Sequence, residues 1–567
     1  MSTTHSPRRL SFFSITIIFF AAILIARLYY IQIHSHERYT TLSQKNTLAL
    51  QNGNTKRGVI FFKDKDNTRV PAALNTEIYT LAIDPKKVTD PEAEYNLLSN
   101  ILPDLSSDTF LNKAARHADP YEEILKNITP DIEQSITNLN LPGVRLYPTY
   151  KRSYPYKDLG ARVLGFVGYS KDTLTGQYGV ERYYNDILSP NKENTAGDSS
   201  FLSLLNNVFK KDTHGDVVLT IEPEVQKILK QKLEETENTW HSDVSGGIIM
   251  DPKTGRIIAM DASPSYDLNE YNKVKDVSVF NNPLVQNVYE MGSIMKPLTV
   301  AAGIDAHLIT ASTTYNDVGH VEIDGRTISN FDKRGRGIIP IQEVLNQSLN
   351  TGVVFIVNKL GRENFIKYMN AFGLSEETGI DLPGESSPLA KNLSSTVAVD
   401  YTTAAFGQGI AVTPIAVTRA LAALANNGKL VTPYITDSID YHNGNATKST
   451  PNEMPQVITK ETADEITRML ITVVDKALLG GEVKLDHYSI AAKTGTAQIA
   501  DEKTKGYFKD RYLHTFFGYF PAHNPRFIIF LYTVYPKGAE YASHTLTYPF
   551  IDLVKFLIQY YEIPEDR

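Results

Sequence analysis

The chain has 567 residues, 42% of them hydrophobic and 21% charged, which supplies a large core and excludes a mostly disordered chain. Its 57 basic and 64 acidic side chains leave a net charge of −7, without the basic stripe of a nucleic-acid binder. Cysteine is absent, so disulfides, iron–sulfur clusters, cysteine-ligated zinc and cysteine nucleophiles are excluded, and any covalent catalysis needs another nucleophile.

Arg8 and Arg9 precede an apolar run from Leu10 to Ala26, broken only by Ser11, Ser14 and Thr16 and continued past Arg27 by Leu28, Tyr29, Tyr30, Ile31 and Ile33. The stretch is long enough to cross a bilayer, which takes about 20 residues. It ends in Arg-Leu-Tyr-Tyr and not in small residues, so it reads as an uncleaved anchor and not as a signal peptide. The basic residues before it put the N-terminus in the cytoplasm and everything after about Gln32 outside. Residues 1–33 are therefore expected to form a tail and a single span, and no later run is comparable.

Residues 34–51 are polar and read as a stalk. From about Thr55 to Gly215, short apolar runs such as Tyr79–Ile83 and Val163–Val167 alternate with Pro, Asn and Asp turn signals, the texture of an irregular α+β module. Asn, Lys, Ser, Asp and Gly crowd the stretch at about 189–216, which reads as a loop or insertion. Val225, Ile228, Leu229 and Leu233 then have helical spacing. The expected division is a non-catalytic module over 34–238 and a catalytic one over 239–567.

The second module opens with Gly247–Met250 and Arg256–Met260 around Asp251-Pro252-Lys253-Thr254-Gly255, a hairpin signal. Helices are expected around Lys296–Ile304, Ile341–Leu360 and Pro414–Ala425. Strands are expected at Tyr488–Ala492, Tyr512–Phe520 and Arg526–Tyr535. A last helix carries Phe550, Leu553, Val554, Leu557, Ile558 and Tyr561 on one face, which an antiparallel sheet would cover. The fold class is α+β or α/β: an antiparallel sheet flanked by helices.

The nucleophile-elbow, P-loop and zinc-protease signatures are missing, and the 13 histidines form no cluster, so neither metal nor cofactor is expected. What stands out is Ser293-Ile294-Met295-Lys296. On a helix, residues i and i+3 share a face, so the lysine amine can reach the hydroxyl and take its proton if its pKa is depressed. Ser-x-x-Lys alone is weak evidence. A second copy, Ser189-Pro190-Asn191-Lys192, lies in the turn-rich stretch and reads as coincidence. Lys-Thr-Gly also occurs twice: Lys253-Thr254-Gly255 reads as the hairpin turn, and Lys493-Thr494-Gly495, followed by Thr496, as a strand edge open to a ligand. Ser348-Leu349-Asn350, taken alone, is a polar helix-to-loop junction.

In this order, Ser-x-x-Lys, Ser-x-Asn and Lys-Thr-Gly form the signature of penicillin-recognising serine acyltransferases. Over nearly its whole length the chain resembles the class B penicillin-binding proteins, monofunctional peptidoglycan D,D-transpeptidases. The stretches Gly215–Ile221, Thr378–Glu385, Gly407–Ile410 and Val412–Pro414 carry the likeness further. Against the family pattern, Phe61-Phe62-Lys63-Asp64-Lys65 replaces an Asp-Arg-Asn-Gly turn after Arg57-Gly58, Met291 replaces a proline, and Ala492 a glycine.

The resemblance implies the fold: anchor helix, pedestal, and a transpeptidase domain with an all-helical part. It also implies roles. Ser293 attacks the penultimate D-Ala carbonyl, Lys296 takes its proton, and Ser348 and Asn350 relay protons and orient the amide. Lys493 adds positive potential, Thr494 binds the terminal carboxylate within Lys493-Thr494-Gly495, and the N–H groups of Ser293 and Thr496 form an oxyanion hole. Stem peptides and β-lactams are the implied ligands, a multispanning glycan polymerase and other division proteins the implied partners.

A serine β-lactamase would share the three motifs but is about half as long. A bifunctional synthase lacks its acidic signature here, and a silent β-lactam sensor would keep the same motifs. Tyr289–Ser293, Ala82–Pro85 and Gly518–Arg526 look more like the division type than the elongation type.

Overall fold

The structure is a computed structural model that describes residues 29, 56–170, 173–189, 214–451, 454–501, 503–504 and 506–567. The expected span, the stalk and most of the 189–216 insertion lie outside the described residues. Among those described, no helix is long and apolar enough to cross a membrane.

The N-terminal half builds on a long strand. β1 (Ile60–Lys63) runs antiparallel to β2 (Arg69–Ile83). Beyond β2 come α1 (Pro91–Ser99), α2 (Ser107–Ala114), β3 (Glu122–Ile128), α3 (Pro130–Thr137) and β4 (Val144–Ser153). Strands β3 and β4 both pair with β2, and this head has its own core around Leu81, Leu98 and Phe110. Val163 and Leu164, expected in one apolar run with Val167, instead end a short helix at Ala161–Leu164; Gly165 at φ +67° turns the chain into the strand Val167–Ser170. β5 (Gly215–Leu219) lies parallel to β1.

α4 (Pro223–Trp240) starts where Pro223 sits in the first turn and Glu222 accepts from the Val225 N–H at 2.6 Å. The expected hairpin follows as β6 (Val244–Met250) and β7 (Ile257–Ser263), with Gly255 at φ +80° in its turn. α5 (Lys296–Asp305) leads into a four-stranded arm. There β8 (Thr314–Asp317) pairs with β11 (Gly337–Pro340), and β9 (His320–Ile323) with β10 (Arg326–Ser329).

This arm corrects the expectation of an all-helical part. Its signal is local: Asp324-Gly325 between β9 and β10, both at positive φ, is a two-residue hairpin turn. The single helix expected over Ile341–Leu360 is also corrected, to α6 (Gln342–Asn346) and α7 (Asn350–Leu360), with Ser348 at φ +57° between them.

α8 (Pro414–Ala425) is buried along its whole length. β12 (Thr436–Tyr441) and β13 (Ala446–Lys448) then return to the N-terminal sheet, whose order is β13-β12-β5-β1-β2-β3. After α9 (Lys460–Thr472) come β14 (Ala491–Asp501), β15 (Gly506–Phe520) and β16 (Phe527–Val534). Together with β6 and β7 they make an all-antiparallel sheet in the order β14-β15-β16-β6-β7.

This sheet is covered on both faces, which explains the unbroken apolar run of β16. α4 and α10 (Thr547–Tyr560) bury Leu229, Leu233, Phe550 and Leu557 with Ile249, Phe516 and Ile529 on one face. Ile248, Phe517 and Phe530 face the helical part. β14 is left as an edge facing that part.

Candidate active site

The three motifs meet at the β14 edge. Gly292–Met295 is a single 3-10 turn, and α5 begins at Lys296. A 3-10 turn eclipses i and i+3, so Ser293 and Lys296 share a face more closely than the expected α-helix would place them. The turn is pressed against β14. Gly292 is at φ +66°, and any side chain at Gly495 would fall on Thr515 Oγ1 and lie 3.0 Å from the Ile294 backbone N. The Thr515 hydroxyl donates to the Met291 carbonyl at 2.9 Å. Behind the turn, half-buried Glu290 accepts from the Gly409 N–H at 2.9 Å and the Tyr507 hydroxyl at 2.9 Å, and its partial burial raises its pKa.

Lys296 is 0% exposed. Its Nζ donates to the Ser348 carbonyl at 2.5 Å and to Ser348 Oγ at 3.2 Å. Lys493, from β14, reaches the same Ser348 Oγ at 3.1 Å and donates to the Thr494 carbonyl at 3.0 Å. Two buried amines thus share one hydroxyl. Burial first, and the like charge of Lys493 second, hold the Lys296 pKa well below the ordinary lysine range. Burial pushes Lys493 down to about 7. In its neutral form the Lys296 amine spends two N–H groups on Ser348 and keeps its lone pair available to a hydroxyl.

Asn350, at the start of α7, donates Nδ2 to the Ser329 carbonyl at 2.8 Å. Thr496 Oγ1 accepts from the Ala542 N–H at 3.2 Å. Ser293, Ser348, Asn350, Lys493, Thr494 and Thr496 all line one cleft of about 890 Å³; buried Lys296 reaches it through Ser348, and Gly495 stands between Thr494 and Thr496 on β14. Phe331, Arg336, Gln408, Tyr512 and Tyr541 line it too, and no motif marked them. Phe331, 58% exposed, meets Tyr541 edge-on across the cleft at 5.8 Å. Both are single aromatics in loops, invisible to a reading by spacing.

The decoy copies sit elsewhere. Ser189 Oγ accepts from Arg57 Nη1 at 2.6 Å, part of a buried cluster in which Arg57 and Arg152 pair with Glu181. Lys253-Thr254-Gly255 turns between β6 and β7, at the opposite edge of the sheet from β14, about 19 Å away at about 4.8 Å per strand.

A lost hydrogen bond to a charged group costs about 1.5–3 kcal/mol, and each 1.4 kcal/mol is about tenfold. Thr494→Val is therefore expected to slow penicillin acylation by roughly 10- to 100-fold, while Thr254→Val leaves it unchanged. Second-order rates with melting temperatures for both variants check this; the reverse ranking would overturn the placement of the site.

The family model described as the penicillin binding protein transpeptidase domain matches residues 246–552, and that of the penicillin-binding protein dimerisation domain matches residues 53–197. Stage V sporulation protein D of Bacillus subtilis (strain 168) is 30% identical over 549 residues, covering 93% of this chain and 82% of that protein. Peptidoglycan D,D-transpeptidase FtsI of Buchnera aphidicola subsp. Baizongia pistaciae is 25% identical over 558 residues, covering 95% and 92%. The crystal structure of penicillin binding protein 2X from Streptococcus thermophilus superposes with a TM-score of 0.74 at 20% identity, over 89% of this chain and 79% of that one, and speaks to the fold alone.

Proposed function

Because the chain belongs to the class B penicillin-binding proteins, we propose that the Ser293 cleft is where it performs acyl transfer between stem peptides. The protein is a serine-type peptidoglycan D,D-transpeptidase and a β-lactam target. The observation that carries the assignment of residues is the convergence of Lys296 and Lys493 on Ser348 Oγ, in the wall of the cleft that Ser293 lines.

Ser293 Oγ attacks the carbonyl carbon of the penultimate D-Ala as neutral Lys296 takes its proton. The N–H groups of Ser293 and Thr496 hold the oxyanion, Thr494 holds the terminal carboxylate, and protonated Lys493 balances its charge. The C–N bond breaks, and terminal D-Ala leaves as an amine, protonated from Lys296 through Ser348. An amine of a second stem peptide then attacks the ester carbonyl and gives a proton to Lys296, which passes it to Ser293 Oγ as the ester C–O bond breaks. Asn350 orients the amide. A β-lactam enters at the first step and stays on the serine.

The apolar run at 10–33 supports a single cytoplasmic-membrane anchor with the catalytic domain outside, and the Tyr289–Ser293 and Gly518–Arg526 stretches support work in septal wall synthesis beside a multispanning glycan polymerase. The decisive assay uses the full chain in detergent with a pentapeptide ending in D-Ala-D-Ala and an acceptor amine. The expected products are free D-Ala and a new amide bond. Rapid turnover of penicillin to its hydrolysed acid, with no amide product, would point to a β-lactamase instead.

A further inference from the structure

Beneath the Ser348–Asn350 turn lies a carboxylate that the mechanism leaves unused. Asp317 closes β8 and is 1% exposed. Thr351 donates its hydroxyl to Oδ1 at 2.8 Å. Asn330 donates Nδ2 to Oδ1 at 3.0 Å and to Oδ2 at 3.1 Å. The Arg336 backbone N–H reaches Oδ2 at 3.1 Å, and the Gly319 N–H reaches Oδ1 at 3.0 Å. These donors are all neutral. Tyr315, on the same strand, and Arg336 are the titratable neighbours, and the Arg336 guanidinium turns instead to Asp332 and Gln347. Burying a carboxylate is costly, and a converging set of donors is what offsets it.

The donors share one location. Thr351 directly follows Asn350. Asn330 directly follows Ser329, whose carbonyl accepts from Asn350. Asn330 Oδ1 accepts from the Thr351 N–H at 3.2 Å. Asp317 therefore closes a ring of side chains around the first turn of α7. On the other side of the turn, Arg336 Nε donates to Gln347 Oε1 at 3.1 Å, one residue before Ser348.

The turn needs such a grip. Ser348 at φ +57° occupies the left-handed region, which is unfavourable for any residue with a Cβ. In this conformation its Oγ and carbonyl both face Lys296 while Oγ also faces Lys493. Relaxing the turn would swing both atoms away.

We propose that Asp317 is a positioning residue for the acyl transfer: through Thr351 and Asn330 it holds the turn that sets Ser348 and Asn350 against the two lysines, without touching substrate. The assignment rests on the acyl-transfer reading of the Ser293 cleft.

The test is the second-order rate of acylation by a fluorescent penicillin, measured from pH 5 to pH 10 on the full chain in detergent. In Asp317→Asn one acceptor becomes an NH2 group facing the Asn330 and Arg336 donors. The expected rate falls roughly 10- to 100-fold, the scale of a misplacement of about 1 Å, while saturating label stays at the wild-type amount. The acid limb moves to higher pH, because a loosened turn admits water and relieves the burial that lowers the Lys296 pKa; Lys493, the charged group facing Lys296, stays in place.

Thr351→Val, which removes only the hydroxyl, moves the limb the same way with a smaller loss, and adds little to Asp317→Asn. Leu557→Ala, on the far face of the sheet, lowers the melting temperature and leaves the limb where it was. An unmoved limb in both ring variants overturns the proposal, as does the same movement in Leu557→Ala. If Asp317→Asn does not fold, Thr351→Val decides. Wild-type protein that takes no label would instead sink the acyl-transfer reading itself.

Discussion

Ser293→Ala protein is expected to take up no covalent penicillin, while Ser189→Ala protein is expected to be labelled like the wild type. Both serines stand three residues before a lysine, and the structure separates them by surroundings. Ser293 lies in a 3-10 turn that lines the cleft, with Lys296 behind it as the first residue of α5. Ser189 Oγ is bound by Arg57 and itself donates to Asn185 Oδ1 at 3.3 Å, so its hydroxyl is committed to the N-terminal module. Without Oγ at 293 no ester can form, and the loss is complete. Fluorescent-penicillin labelling of membranes from the two variants reads this directly; persisting label on Ser293→Ala would remove the central assignment.

The second large effect is at the base. Lys296→Arg is expected to cut acylation by about 10³-fold, within the range that general-base catalysis contributes, although the reach of the side chain is nearly kept. A guanidinium stays protonated above pH 12 and cannot accept the serine proton. In the wild type, burial first and the like charge of Lys493 second disfavour the charged form of the amine. The rate must then rise with pH through the lowered Lys296 pKa and level off well below the free-lysine value of about 10.4. Rapid-mixing acylation against pH checks both points. A limb confined to pH above 10, or an active Lys296→Arg protein, would exclude Lys296 as the proton acceptor.

The elements most legible in the sequence are those whose cause is local. α8 spans the run opened by Pro414, because Thr413 caps it and the apolar residues surround it. The β6–β7 hairpin and α10 follow from turn chemistry and a 3.6-residue period. What escaped is set by distant partners. The helical pattern of 341–360 is uninterrupted in composition, yet the chain breaks at Ser348, held by the Asp317 ring and by two lysines. β14 begins at Ala491 rather than Tyr488, because the Tyr488 hydroxyl and the Ser489 N–H are bound to Ile563 and Asp566 of the C-terminal tail.

In the site, the three motifs were readable because their order is informative even where each is weak. Phe331, Tyr541 and Asp317 were not, since a lone residue in a loop or at a strand end carries no period and no spacing.

The return of β12 and β13 to the N-terminal sheet has a consequence in time. Val217 of β5 pairs with Ile439 of β12, so one edge of β5 lacks its partner until that distant segment has been made. At a synthesis rate of about 5–20 residues per second the wait is roughly 10–40 s, far longer than strands need to find each other. During that interval the nascent chain presents an open strand edge of the kind that recruits foreign strands. The N-terminal half is thus the first part to emerge and among the last to be finished, and shielding that edge is a burden placed on whatever escorts the growing chain.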